Sequence, residues 1–247
     1  MTVNNEKDFD GLMRIGRIVG MTIKVMAEAM RPGMTTAELD AVGAAYITSQ
    51  GAQSAPQLVY KFPGATCISI NEEVAHGIPG DRVIQPGDLV NIDVSAEMSG
   101  YFADSGGTFP VPPVKPEYQK ICDCARTALE HSINAARAGQ KNNAIGKAVE
   151  LQARSCGFNI IRELSGHGVG KSIHEKPNVP NYFTKRSDDR LSDGLVITLE
   201  PFITNGSGRV YTADDTWTIK TPDGDRTAQY EHTIIVRHGK PVLVTAV

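Results

Sequence analysis

The chain has 247 residues, 40% of them hydrophobic and 21% charged, with a formal net charge of -3. That is the composition of an ordinary globular protein with enough apolar residues for a sizeable core. The slight acidity supplies no basic field of the kind a nucleic-acid backbone attracts, which sets aside a DNA- or RNA-binding module.

At the N-terminus, Met1–Asp10 contains no apolar stretch and no Arg-rich amphipathic pattern. No apolar run approaches the ~20 residues needed to cross a bilayer. The expectation is a soluble, cytoplasmic protein with no secretory leader and no membrane partner. From Asp8 to Met30, Leu12, Ile15, Ile18, Val19, Thr22, Met26 and Met30 recur near the helical period, and Arg31-Pro-Gly33 stops the run. Thr35 or Thr36 opens a second helix. Thr35 and Glu38 have capping-box spacing, and Leu39, Val42, Tyr46 and Ile47 form the apolar stripe.

From Gly64 to Pro110 the pattern changes to short β runs, Thr66–Ile70, Leu89–Ala96 and Tyr101–Phe109, separated by turns such as Ile78-Pro-Gly-Asp81 and Gln85-Pro-Gly-Asp88. The cycle then repeats. Lys115–Ala138 and Asn142–Ser155 read as helices, followed by β runs near Leu195–Leu199, Trp217–Lys220, Tyr230–Arg237 and Pro241–Thr245. Arg31, Gly33, Leu39 and Gly51 match Arg137, Gly139, Ile145 and Gly157 at a spacing of 106 residues. Gly87, Leu89, Val90, Ile92 and Asp93 match Gly194, Val196, Ile197, Leu199 and Glu200 at a spacing of 107. This self-similarity points to two βα halves, about 8–112 and 113–247, sharing one sheet within a single domain spanning 1–247.

Each half ends its matched strand in a carboxylate, Asp93 and Glu200. An acid in an apolar strand cannot stay ionised and unpaired in a core without a cost of several kcal/mol, so something positive should meet it. Asp104 lies eleven residues after Asp93, across a hairpin whose tip holds Met98-Ser-Gly100. Two carboxylates brought side by side repel unless they share a proton or a cation. Glu200 and Glu231, the latter entering a β-branched run, repeat the situation. His167, in Gly166-His-Gly-Val-Gly170, adds an imidazole where small neighbours allow a ligand close approach. Four carboxylates and one imidazole suit Mn, Fe, Co or Zn ions in five- or six-coordinate geometry.

The remaining candidates have blander expectations. His131 and His238 read as structural, His232 as facing away from Glu231, and Glu72, Glu73, Asp188 and Asp189 as solvated acids. The cysteines, Cys67, Cys122, Cys124 and Cys156, form no C-x-x-C pair. They read as thiols of a reducing compartment rather than zinc ligands.

The motifs Cys67-Ile-Ser-Ile-Asn-Glu72, His76-Gly-Ile-Pro79, Asn91-Ile-Asp93, Asp104, Gly166-His-Gly-Val-Gly170, His174-Glu-Lys-Pro177, Thr198-Leu-Glu-Pro201 and Ala228-Gln-Tyr-Glu-His-Thr233 resemble those of the methionine aminopeptidases of the shorter, insertion-free type. The resemblance spans residues 8 to 245. It implies the pita-bread fold: an α/β architecture of two pseudo-symmetric halves, sharing a curved, mainly antiparallel sheet with helices outside. It also implies removal of the initiator methionine by hydroxide activated at a pair of divalent metal ions, Co or Mn serving in vitro. By the same resemblance, Asp93, Asp104, His167, Glu200 and Glu231 are the metal ligands, with Asp104 and Glu231 bridging, and Glu200 relays a proton. His76 and His174 contact the scissile amide nitrogen and carbonyl oxygen.

Phe62, Cys67 and Trp217 fall where the family lines its methionine pocket. Leu58-Val-Tyr-Lys-Phe62 departs from the family's usual Gly-Tyr-x-Gly-aromatic stretch, and Ile173 stands where phenylalanine is expected. The implied substrates are N-terminal Met peptides and nascent chains at the ribosome, with a small residue following methionine and no direct contact with nucleic acid. The implied enzyme is a monomer. Two alternatives stay open: an X-Pro aminopeptidase or prolidase-like peptidase of the same fold, and a metal-free binding homologue.

Overall fold

The computed structural model describes residues 1–247. Two helices, α1 (Glu6–Ala29) and α2 (Thr36–Ser49), come first, followed by β1 (Gln53–Ser54), the short α3 (Ala55–Tyr60), β2 (Cys67–Ile70) and β3 (Glu73–Ala75). The hairpin of β4 (Leu89–Met98) and β5 (Tyr101–Pro110) leads to α4 (Pro116–Ala135) and α5 (Asn143–Cys156). Short strands complete the chain: β6 (Asn159–Ile160), β7 (Ser165–Gly168), β8 (Glu175–Pro180), β9 (Val196–Leu199), β10 (Phe202–Thr204), β11 (Tyr211–Thr212), β12 (Ile219–Lys220), β13 (Thr227–Gln229), β14 (His232–Ile235) and β15 (Val242–Leu243).

The expected capping box is present. The Thr35 hydroxyl accepts from the Glu38 amide, and the Glu38 carboxylate accepts from the Thr35 amide at 2.8 Å. Leu12, Ile15, Val19 and Met26 of α1 are fully buried and cover β4 and β5. Gly16 faces Val244 so closely that a β-carbon there would lie 2.3 Å from a backbone oxygen, which is how α1 seats the end of the chain. Helices α4 and α5 pack together and bury Ile121, Ala125, Ala128 and Val149.

Cys124 and Cys156 are joined by a disulfide across that pair, with Cα atoms 6.3 Å apart. This corrects the expectation of free thiols, which holds only for the buried Cys67 and Cys122. Compartment and spacing logic had no means of showing that two helices bring these residues together. Glu72 and Glu73 are not simply solvated either. Both pair with Arg82, at 3.2 and 2.5 Å, and Glu73 also meets Lys220 at 3.4 Å.

All the ladders that place the site are antiparallel. β4 pairs with β5 from Leu89↔Pro110 to Met98↔Tyr101, and its other edge takes β2 and β1. Ser99 and Gly100, both at positive φ, make the two-residue turn. A second sheet runs β15-β14-β9-β7-β8, and smaller ones run β13-β10-β6 and β11-β12-β3. The single shared sheet of the sequence reading is therefore divided by breaks in its strands. The expected strand over 230–237 is one example: Tyr230 and Glu231 interrupt it, leaving β13 on β10 and β14 on β9. The expected strand from Trp217 shortens to β12 because the Asp215 carboxylate takes the Trp217 and Thr218 amides, both at 2.8 Å.

Where β5 meets β13 and β14, side chains replace much of the ladder. Thr233 Oγ1 accepts from the Asp104 amide at 3.0 Å and donates to its carbonyl at 2.7 Å. Ser105 Oγ donates to the Glu231 carbonyl, the Glu231 amide donates to the Gly106 carbonyl, and Thr108 Oγ1 bridges the Gln229 amide and carbonyl. Replacing Thr233 by valine keeps the shape and strands the buried Asp104 amide. The expected loss is about 1–3 kcal/mol, seen as a lower urea midpoint with an unchanged m-value.

Candidate metal centre

A cavity of about 390 Å³ opens between the two larger sheets. Its lining includes Asp93, Asp104, His167, Glu200 and Glu231, so residues that span more than half the chain meet at one place. Asp93 sits mid-strand in β4 opposite Gly106, and Asp104 sits in β5 opposite Ser95. They are diagonal neighbours on one face of the hairpin, close enough that each carboxyl group perturbs the ionisation of the other. The sequence reading also put Glu200 and Glu231 in strands. In the fold each lies just beyond one, Glu200 after β9 and Glu231 between β13 and β14. A break in the strand is what turns each carboxylate into the cleft.

His167 comes from β7. Its Nδ1 faces the Gly168 carbonyl at 2.9 Å, and a carbonyl only accepts, so Nδ1 carries the hydrogen and Nε2 keeps its lone pair. That Nε2 lies 3.4 Å from Glu200 Oε1 and 3.8 Å from Asp104 Oδ2. The ligand-type atoms of Asp104, His167 and Glu231 all fall within 4.8 Å of one another.

Two further residues hold this arrangement. Thr198 Oγ1 donates to Glu200 Oε1 at 2.8 Å and accepts from the His167 amide at 3.0 Å, tying two strands with one hydroxyl. Gln229 Nε2 donates to Glu231 Oε2 at 2.9 Å, while its Oε1 accepts from Asn91 Nδ2 at 2.8 Å. A β-carbon on Gly106 would sit 2.8 Å from that Gln229 oxygen, so the network needs glycine there. The sequence reading passed over Thr198 and Gln229. Each lies two residues before a singled-out acid, which is the spacing of one strand face and the signal that could have found them.

The electrostatics call for a proton or a cation shared among these carboxyl groups. Burial raises Asp93 to about 6 and Glu200 to about 8. Burial first, then neighbouring carboxylates, push Asp104 and Glu231 well above the usual range. His167 is lowered to about 4, by burial and then by the adjacent His174, and stays neutral. Asp104 Oδ1 and Glu231 Oε1 are buried with no hydrogen-bond partner in the protein. Orphaned acceptors beside a neutral imidazole lone pair are what a bound divalent cation satisfies, so these residues fit a metal.

The outer candidates also reach the cleft. His76 follows β3 at φ 55°, in the left-handed region, and lines the cavity. His174 packs its ring on His167 with centroids 4.2 Å apart. Phe62, Cys67 and Trp217 lie together on the apolar side with Ile173, and Phe62 meets Trp217 edge to face at 5.2 Å. Tyr60 and Phe202 share this lining and were not singled out from the sequence. His232 is turned away, its Nδ1 2.8 Å from Thr245 Oγ1.

The sequence profile of metallopeptidase family M24 matches residues 10–238. Methionine aminopeptidase 2 of Bacillus subtilis is 44% identical over 247 residues, covering 99% of each chain. The crystal structure of methionine aminopeptidase from Rickettsia prowazekii superposes with a TM-score of 0.95 at 33% identity, covering all of both chains. Prolidase from Pyrococcus furiosus, at 21% identity and a TM-score of 0.80, matches all of this chain with 66% of its own and shares the fold alone. The architecture is the pita-bread fold expected from the motifs.

A carboxyl group whose folded pKa is raised holds an extra proton in the folded state, so stability falls as pH rises towards that pKa. Glu200, at about 8 against an ordinary 4.5, behaves this way. His167 works oppositely, but its contribution is complete near pH ~7, where the unfolded imidazole is already neutral. Chelator-treated protein should therefore lose thermal stability between pH about 7 and 8.5, and added Mn(II) should restore it. A melting temperature that rises with pH across that window in the stripped protein contradicts this account.

Proposed function

The chain belongs to metallopeptidase family M24, and on that premise we propose that it removes the initiator methionine from peptides and nascent proteins whose second residue is small. One observation carries the reading. A cluster of carboxylates and a neutral imidazole opens onto an apolar pocket holding Phe62, Cys67 and Trp217, in a chain alike end to end with a methionine aminopeptidase.

Asp93, Asp104, His167, Glu200 and Glu231 would hold two divalent ions. The donor set suits Mn, Fe, Co or Zn, and Co or Mn should support activity in vitro. Bound there, the ions supply Lewis-acid polarisation of the scissile carbonyl and lower the pKa of the attacking water. Glu200 would take that water's proton and deliver it to the departing amine nitrogen. His76 would hydrogen-bond the scissile amide nitrogen, and His174 the carbonyl oxygen as negative charge develops.

The methionine side chain would enter among Phe62, Cys67 and Trp217, where aromatic edges and sulfur suit a polarizable thioether. The whole of residues 1–247 would act as one catalytic domain, its halves near 8–112 and 113–247 related by duplication. The proposed setting is a monomer working in the cytoplasm on chains emerging from the ribosome; no helix is long and apolar enough to cross a membrane.

The X-Pro reading finds less support, because likeness to prolidase stops at the fold. A metal-free binding role is disfavoured by five intact ligand-type residues.

Chelation followed by restoration of Mn(II) or Co(II) should give release of methionine from Met-Ala-Ser, but no cleavage of Leu-Ala-Ser, Met-Lys-Ser or Ala-Pro-Ser, read by mass spectrometry. Cleavage of Ala-Pro-Ser instead would move the chain to the X-Pro branch. His76→Ala should keep its metal content and lose about 10²–10³ in turnover. Parallel loss of bound metal would remove His76 from its outer role.

A further inference from the structure

At the rim of the cavity, α3 ends on Tyr60. Ser54 Oγ accepts from the Gln57 amide, Pro56 occupies the first turn, and Lys61 at φ 59° bends the chain back towards Phe62. This short helix therefore fixes where the Tyr60 ring stands. The Tyr60 hydroxyl lies 2.5 Å from His174 Nδ1, with the two rings tilted and their centroids 5.7 Å apart. His174 is thus held between Tyr60 on one side and His167 on the other.

A neutral imidazole has one N–H and one lone pair, and the partner of one nitrogen decides the state of the other. The Tyr60 hydroxyl has no other acceptor in the protein, and a phenol keeps its proton at neutral pH. Directing that proton at Nδ1 satisfies both groups with one bond. It leaves the hydrogen of His174 on Nε2, which has no protein partner and belongs to a ring lining the cavity.

We propose that Tyr60 is a positioning residue that donates to His174 Nδ1, holding this histidine in its Nε2–H tautomer so that Nε2–H is presented to the carbonyl oxygen of the scissile bond. The identity of that oxygen rests on the methionyl-peptidase reading; the tautomer does not.

Tyr60→Phe keeps the ring and removes only the hydroxyl. With Met-Ala-Ser and the Mn(II)-loaded enzyme, kcat should fall roughly tenfold to a hundredfold, the scale seen when a metal-ligating histidine loses the partner of its other ring nitrogen, taken here for a histidine that contacts substrate. KM and metal content should stay as in the wild type. In a His174→Ala background the same change should add no further loss, because the two residues act as one unit. Long-range 1H–15N spectra of the Zn(II)-loaded protein, labelled at histidine nitrogens, should show His174 protonated at Nε2 in the wild type and mixed between tautomers in Tyr60→Phe.

Unchanged kcat in Tyr60→Phe, an unchanged tautomer, or a loss that persists without His174 would each overturn the proposal. If the wild type releases no methionine while the tautomer still depends on Tyr60, the functional reading fails and the positioning role stands.

Discussion

Four carboxyl groups enclosed in one apolar-walled cleft repel each other too strongly to remain together as anions, and the architecture is organised around that conflict. Burial and mutual repulsion raise the carboxyl groups of Asp93, Asp104, Glu200 and Glu231 above the ordinary range, Asp93 least, to about 6. The protein supplies orientation but no charge: Thr198 steers Glu200, Gln229 steers Glu231, and His167 arrives neutral with its lone pair free. No lysine or arginine lines the cavity. A divalent cation from outside the chain is the partner that the family and this cluster of donors suggest.

Bringing four acids to one point costs the sheet its regularity. Asp93 and Asp104 are delivered by an unbroken ladder, since diagonal positions on a hairpin share a face. Glu200 and Glu231 require strands to stop, and each stop leaves backbone groups in need of partners inside the protein. Hydroxyl residues meet that need. Ser105, Thr108 and Thr233 are buried along the line where β5 meets β13 and β14, and each bonds to backbone of the opposite segment. The polar content of this core follows from the positions of the acids.

Much of this was legible in the sequence, for identifiable reasons. The Thr35–Glu38 box, the α1 stripe and the β4–β5 hairpin are local patterns with strong periods, and they appear within a few residues of their expected ends. The acids were legible because charge inside an apolar run is conspicuous. α3 was missed because Ala55–Tyr60 is under two turns of helix with proline in its first turn, too short for a period to read. β7 was missed because Ser165–Gly168 is half glycine and shows no β propensity. The Cys124–Cys156 bond and the pairing of Glu72 and Glu73 with Arg82 depend on tertiary proximity, which spacing does not encode.

The seam between β5 and β13–β14 has a consequence for how such a protein can be divided. Asp93 and Asp104 reside on one side of it, and His167, Glu200 and Glu231 come from sequence beyond α4. Thr233 clasps the backbone of Asp104 from across the joint. Neither portion owns a usable centre, so reactivity is a property of the junction and not of either piece. Cutting the gene between β5 and α4 and supplying the fragments separately would make chemistry conditional on reassembly, a natural logic gate requiring both inputs.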